Sequence, residues 1–149
     1  MISLLAIASI ISIGLMIGVE LAVWAFINPI LLKLDQSARA QAVPLFAKRL
    51  GAAMPFWYAG NFVLLGAAAI SLRSQHAVWL VGAAAGIWAA VIVLSLLFLV
   101  PINNRLARPD GVFTLSEAHR QHLKWDAMHR ARVVALGAAF ALLLLGIGL

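Results

Sequence analysis

Residues 74–104 read SQHAVWLVGAAAGIWAAVIVLSLLFLVPINN, with His76 the one ionisable side chain among them. A helix needs about 20 apolar residues to cross a hydrocarbon core of about 30 Å, and this run exceeds that length. The rest of the chain repeats the pattern. Before Lys33 the sole ionisable side chain is Glu20, residues 50–72 carry none, and residues 133–149 carry none. The last stretch reaches spanning length by extending back through Arg132 and Arg130. Composition agrees: 64% of the 149 residues are hydrophobic and 11% charged, whereas soluble domains are about a quarter charged. A water-soluble chain this small could not hide so much apolar surface, since it buries only about 60–70% of what its unfolded state exposes. The sequence therefore predicts an all-α integral membrane four-helix bundle forming one domain over 1–149. Its helices are expected at about 2–32, 53–73, 77–102 and 116–149.

The first run has no basic start and is longer than the roughly 7–15 apolar residues of a signal peptide, so it is expected to stay in the mature protein. With no cysteine there is no disulfide framework and no thiolate ligand or nucleophile. Lys33, Arg39, Lys48 and Arg49 border the first loop, and Arg105, Arg108, Arg120, Lys124, Arg130 and Arg132 the third loop and the start of the last helix. Only Arg73 falls on the opposite side. By the positive-inside rule loops one and three face the cytoplasm, both termini lie outside, and the protein sits in the inner or plasma membrane. The net charge of +6 then forms a collar toward anionic lipid. No basic patch interleaved with aromatics suggests a nucleic-acid partner.

Thr114-Leu115-Ser116-Glu117 has the form of a capping box after the turn Pro109-Asp110-Gly111, and predicts a long fourth helix whose first turns extend into the cytoplasm. Residues Gln36 to Leu50, broken by Pro44, are expected as a short interfacial helix in loop one. Gly14-xxx-Gly18, continued by Ala22, and Gly82-xxx-Gly86, continued by Ala90, are expected to let helix backbones approach closely inside the bundle, or to pair copies in a homo-oligomer.

Ionisable groups at membrane depth are expensive and point to function. Glu20 lies eight residues, about 12 Å, deeper than Asn28-Pro29, and Arg132 lies equally far below Lys124, so the two could pair. On the last helix, His119, His122, Asp126, His129 and Arg130 share an arc of about 100°, with Trp125 beside it. Trp24 and Asn28 extend a stripe from Glu20, Trp57, Tyr58 and Asn61 open the second helix, and Pro101, Asn103 and Asn104 close the third. The spacing places all four helices' polar and aromatic groups at one depth, as a pocket for a small, flat, apolar substrate requires. Glu20, Asp126, His129 and Arg132 are the candidate catalytic residues, and Trp24, Asn28, Trp57, Asn61, Asn103 and Trp125 the candidate binding residues. A metal, if one is used, would be held by His122, Asp126, His129 and Glu20 through nitrogen and oxygen. Haem is disfavoured, because His76 lies at the opposite surface from the other histidines.

Phe26-x-Asn28-Pro29, Pro101-x-Asn103-x-x-Leu106 and Trp125-x-x-x-His129-x-x-Arg132 together resemble the signature of the anthrone oxygenase-like family of small four-helix membrane proteins. The resemblance implies an oxygenase that inserts oxygen from O2 into an activated carbon of an aromatic polyketide such as an anthrone, giving a quinone. It also implies functional roles for Asn28, Asn103, His129 and Arg132. Such chemistry can run without a cofactor: a base, His129 or Asp126, forms an electron-rich enolate that Arg132 holds and O2 attacks. The metal-assisted alternative uses the ligand set above. A non-enzymatic accessory or assembly subunit is a second reading of the polar cluster. A small multidrug-type transporter, also a four-helix protein with a lone glutamate in its first helix, fits less well because the charge bias fixes one orientation.

Overall fold

The computed structural model describes residues 4–72, 75–106 and 115–148. Its four helices are each long and apolar enough to cross a membrane: α1, Leu4–Lys33, α2, Gln36–Ser71, α3, His76–Leu106, and α4, Leu115–Ile147. Contacts run α1 to α2, α2 to α3, α3 to α4 and back to α1, with α3 and α4 the most extensive pair. Ile13, Met16, Leu65, Val81, Trp88, Leu136 and Leu143 fill the centre. Large apolar residues such as Leu4, Phe56, Ile70 and Trp79 point outward, the surface a lipid solvent allows.

Two expectations about helix boundaries are corrected. The stretch Gln36–Leu50 is no separate interfacial helix but the first part of α2, which runs unbroken through Pro44 and Pro55. Its start is fixed by Asp35, whose Oδ1 accepts the amides of Ser37 and Ala38 at 2.9 Å each as an N-cap. Alanines at positions 38, 40 and 42 then favour continuation. The Ala38 amide foremost, with that of Ser37, holds the Asp35 carboxyl below its ordinary range. This capping contribution is complete at neutral pH and fades as the pH falls through that lowered value. The third helix likewise continues past Asn103 and Asn104 to Leu106. The capping box at Thr114, the turn Pro109-Asp110-Gly111, and the charges Arg73 and Arg108 lie outside the described residues.

In α1 and α3, but not in α2, a widened turn stands just before a proline. Residues Val23–Ile27 precede Asn28-Pro29, and Ser95–Leu99 precede Val100-Pro101. In both the bond reaches five residues back, from Asn28 N–H to Val23 O and from Val100 N–H to Ser95 O. Proline cannot donate, and its ring crowds the carbonyl four residues earlier; a wider turn relieves that crowding. Such turns recur at functional sites, and these two present Asn28 and Ser95 to the interior.

The small-residue stripes do not pack as expected inside the bundle. A Cβ added at Gly18, Gly82 or Gly86 would meet nothing within 4 Å, and one at Gly14 only an ordinary contact with Phe140 at 3.6 Å. The close approach is instead at Gly146, where an added Cβ would stand 2.6 Å from Val81 Cγ2 and 3.3 Å from the Ala77 carbonyl. Val81 is fully buried and stiff at its branched carbon. Gly146→Ala should therefore cost about 1–3 kcal/mol through overpacking, read as a lower melting midpoint in detergent, while Gly82→Ala should leave the midpoint unchanged.

Candidate active site

Arg132 gathers side chains from all four helices. Its Nη2 donates to Glu20 Oε2 of α1 at 2.7 Å and to His129 Nδ1 of α4 at 2.9 Å. Its Nη1 reaches Ser95 Oγ of α3 at 3.5 Å, and its guanidinium carbon lies 5.6 Å from the centroid of the Tyr58 ring of α2, a cation–π distance. The depth matching of Glu20 and Arg132 is thus realised as an ion pair. Tyr58 Oη donates to the other oxygen, Glu20 Oε1, at 2.9 Å.

The partners also settle the role of His129. Arginine only donates, so Nδ1 is the acceptor, and Nε2–H donates to the Glu20 carbonyl at 3.1 Å. Glu20 Oε2 and His129 Nδ1 stand 3.2 Å apart because one NH2 group serves both. Trp125 stacks on the imidazole with centroids 4.7 Å apart and planes 9° from parallel. The ring is held on both nitrogens and one face, and is 1% exposed.

A second polar group lies closer to the charged collar. Asp126 accepts from Asn28 Nδ2 on Oδ1 at 2.7 Å and from Arg130 Nε on Oδ2 at 2.8 Å, tying α1 to α4. Beyond it, Arg39 Nη1 donates to His119 Nδ1 at 3.2 Å. A third group lies deeper: Ser12 Oγ donates to Asn61 Oδ1 at 2.6 Å and accepts from Trp57 Nε1 at 3.2 Å, and Asn61 Nδ2 faces Met16 Sδ at 3.3 Å.

A cavity of about 310 Å3 opens between α2 and α3, within the roughly 300–1,000 Å3 typical of small-molecule sites. Leu50, Met54, Tyr58, Ile92, Leu99 and Val100 are among its walls, with Ser95, Asn103 and Asn104 as polar members from α3 and Trp125 and Arg132 contributed by α4. Asn103 is anchored by donating from Nδ2 to the Ala47 carbonyl at 3.1 Å. Gly51 makes room for that amide, since a Cβ there would stand 2.7 Å from Nδ2. Asn103, Trp125 and Leu50 also border a smaller cavity of about 50 Å3, which Asn28 and His122 line from the other side.

The structure therefore brings Glu20, His129 and Arg132 into one cluster and sets Asn103, Trp125 and Arg132 on the cavity wall. Asn28 and Asp126 form their own pair. Trp57 and Asn61 belong to the deeper Ser12 group, and neither they nor Trp24 is among the residues lining the larger cavity. Among the described residues no three His, Asp or Glu side chains converge as a metal site would need. Both oxygens of Asp126 and Glu20 and both nitrogens of His129 are engaged in the bonds above, so the proposed ligand set does not fit an ion. Two cluster members were not among the candidates: Tyr58, the one tyrosine of the chain, and Ser95. On α2 the buried residues Tyr58, Asn61, Leu65 and Ala68 recur at helical spacing. That periodicity already sets Tyr58 inward and Trp57 to the side.

The anthrone oxygenase family model matches residues 43–142. The chain belongs to the anthrone oxygenase family. The matched segment takes in every residue that lines the larger cavity, whereas Glu20 and Asn28 of α1 precede it. No curated protein and no solved structure matches the chain.

Proposed function

We propose that the protein is a membrane-embedded oxygenase that uses O2 to convert an anthrone-type aromatic CH2 into the carbonyl of a quinone, at a site facing the cytoplasmic side of the inner or plasma membrane. The observation that carries this reading is an apolar cavity bordered by a largely buried arginine with donors to spare. Among the described residues Arg132 Nε has no hydrogen-bond partner and Nη1 has only the long contact to Ser95. An unpaired buried donor costs about 1–3 kcal/mol, a cost that a bound oxyanion would remove. Membership of the family adds an oxygenase-type role. The charge bias supplies the sidedness, with both termini outside.

In this reading the substrate lies flat against Trp125, with its oxygen toward Arg132. Loss of a C–H proton gives an enolate whose charge the guanidinium stabilises. His129 and Asp126, the bases expected from sequence, are engaged elsewhere and do not line the cavity. Two hydroxyl-bearing residues line it, Ser95 and Tyr58, and Tyr58 is the one whose hydroxyl is backed by a carboxylate, that of Glu20. Tyr58 Oη takes the substrate proton as its own passes to Glu20 Oε1, and Glu20 becomes the proton store. The enolate carbon gives its electrons to O2 and forms a C–O bond, leaving a substrate hydroperoxide once a proton is returned. Removal of the second hydrogen from that carbon then breaks the O–O bond. The sum is one CH2 plus one O2 giving one C=O and one water. Purified protein in lipid nanodiscs should consume anthrone and O2 in equal amounts faster than the spontaneous reaction, and Arg132→Met should return the rate to background. Equal rates for the two proteins would refute the assignment.

A further inference from the structure

We propose that the substrate enters the cavity sideways from the lipid, through a slit between α2 and α3, and not from the aqueous end of the bundle. This deepens the preceding reading and rests on it. Gly51, Pro55 and Ala59 of α2 and Leu96 and Asn104 of α3 line the cavity and are at the same time exposed on the outside of the bundle, Asn104 at the end nearest the collar of charge. The slit therefore runs along the flank of the protein. From Arg49 to Ala59 is ten residues and from Arg105 to Leu96 nine, so its inner end lies about 13–15 Å below the collar of charge on both helices. Residues 50–72 and 77–104 hold no Asp, Glu, Lys, Arg or His. That part of the opening thus faces the hydrocarbon core, which is about 30 Å thick.

The sequence and the widened turn explain why a gap is left there. The α2 rim is built from glycine, proline and alanine, whose side chains cannot reach across. On α3, Ser95 and Leu99 both turn inward through the Ser95–Leu99 turn, while Leu96 stays 58% exposed. Arg132 borders the cavity at matching depth, eight residues below Lys124. A neutral aromatic that partitions into the bilayer can move along the slit without crossing water. It would meet the cation only once inside, where ionisation is favoured. The chemical class implied is a flat, membrane-soluble aromatic with one ionisable oxygen, not a water-soluble conjugate or a charged acyl thioester.

The lack of cysteine makes a reversible test available. Ala59→Cys and, separately, Asn104→Cys are placed in the full chain in nanodiscs and capped with benzyl methanethiosulfonate. Association of 2-naphthol is followed by its fluorescence, before capping, after capping, and after release of the cap with dithiothreitol. The benzyl adduct at position 59 should slow association by about tenfold or more, with recovery on release, and the adduct at position 104, at the outer end of the same cavity where an aqueous route would enter, by less than about twofold. Melting midpoints of capped and uncapped protein report folding, and the recovery on release separates a blocked slit from a damaged fold. Slowing at position 104 with none at position 59 would overturn lateral entry while leaving the cavity reading standing, and so would an effect at neither position. No association of 2-naphthol with the uncapped protein, the result if a lipid acyl chain fills the cavity, would overturn both.

Discussion

Glu20→Gln should destabilise the protein by about 3–5 kcal/mol, the usual consequence of removing one partner from a buried ion pair, and should abolish turnover. Among the described residues the guanidinium of Arg132 would keep neutral neighbours alone: the Tyr58 ring, Ser95 Oγ and His129 Nδ1. Adding Arg132→Met removes the stranded charge and should return the melting midpoint toward that of the parent, since a buried pair replaced as a whole by neutral groups is often neutral in stability. Turnover should stay absent in the double variant, because the cation that holds the oxyanion and the carboxylate that stores the proton are both gone. The combination discriminates between two roles for the same 2.7 Å contact. If stability and turnover recover together, the pair only registers α1 against α4. If stability alone recovers, the pair belongs to the chemistry.

Tyr58→Phe separates proton transfer from binding. The phenylalanine ring keeps the packing against Trp88, at 5.8 Å between centroids, and the place beneath Arg132, but the donor to Glu20 Oε1 is lost. Leaving that oxygen without its bond should cost about 1–3 kcal/mol of stability. Turnover number should fall by about 10²–10⁴, the usual worth of a positioned acid–base group, with KM changed only a few-fold. A merely structural hydroxyl would give the opposite split, with KM raised or the protein lost and the turnover number of the folded fraction intact.

Much of this arrangement is legible in the residues, for identifiable reasons. The uncharged runs mark four helices long and apolar enough to cross a membrane, because the cost of charge in lipid keeps such runs free of it. The Glu20–Arg132 pair follows from counting residues below the collar, which works because rise per residue is constant along a helix. The start of α2 is misread because Pro44 looks like a breaker. In the folded protein Asp35 starts the helix early, and proline removes only one bond from a turn whose neighbours continue it. Ser95 is missed, and Tyr58, though placed at pocket depth, is left out of the candidate set, for different reasons. Ser95 sits in a widened turn, where a 100° wheel loses its phase, and only Pro101 hints at that turn. Tyr58 lies beside Trp57, and the larger ring is the one taken as the wall of the pocket; the inward face running through Asn61, Leu65 and Ala68 tells them apart. The glycine stripes mislead because spacing alone cannot say whether a small face looks inward, and the real close approach at Gly146 has no motif around it.

The measurement that tests the central claim most directly is the source of the new oxygen. Anthrone is incubated with the nanodisc-held protein under isotopically heavy O2, and the quinone formed above the spontaneous background is weighed by mass spectrometry. The account predicts one heavy oxygen atom per quinone from the parent protein and no such excess with Arg132→Met. Quinone carrying only light oxygen, or an equal excess from both proteins, would contradict it.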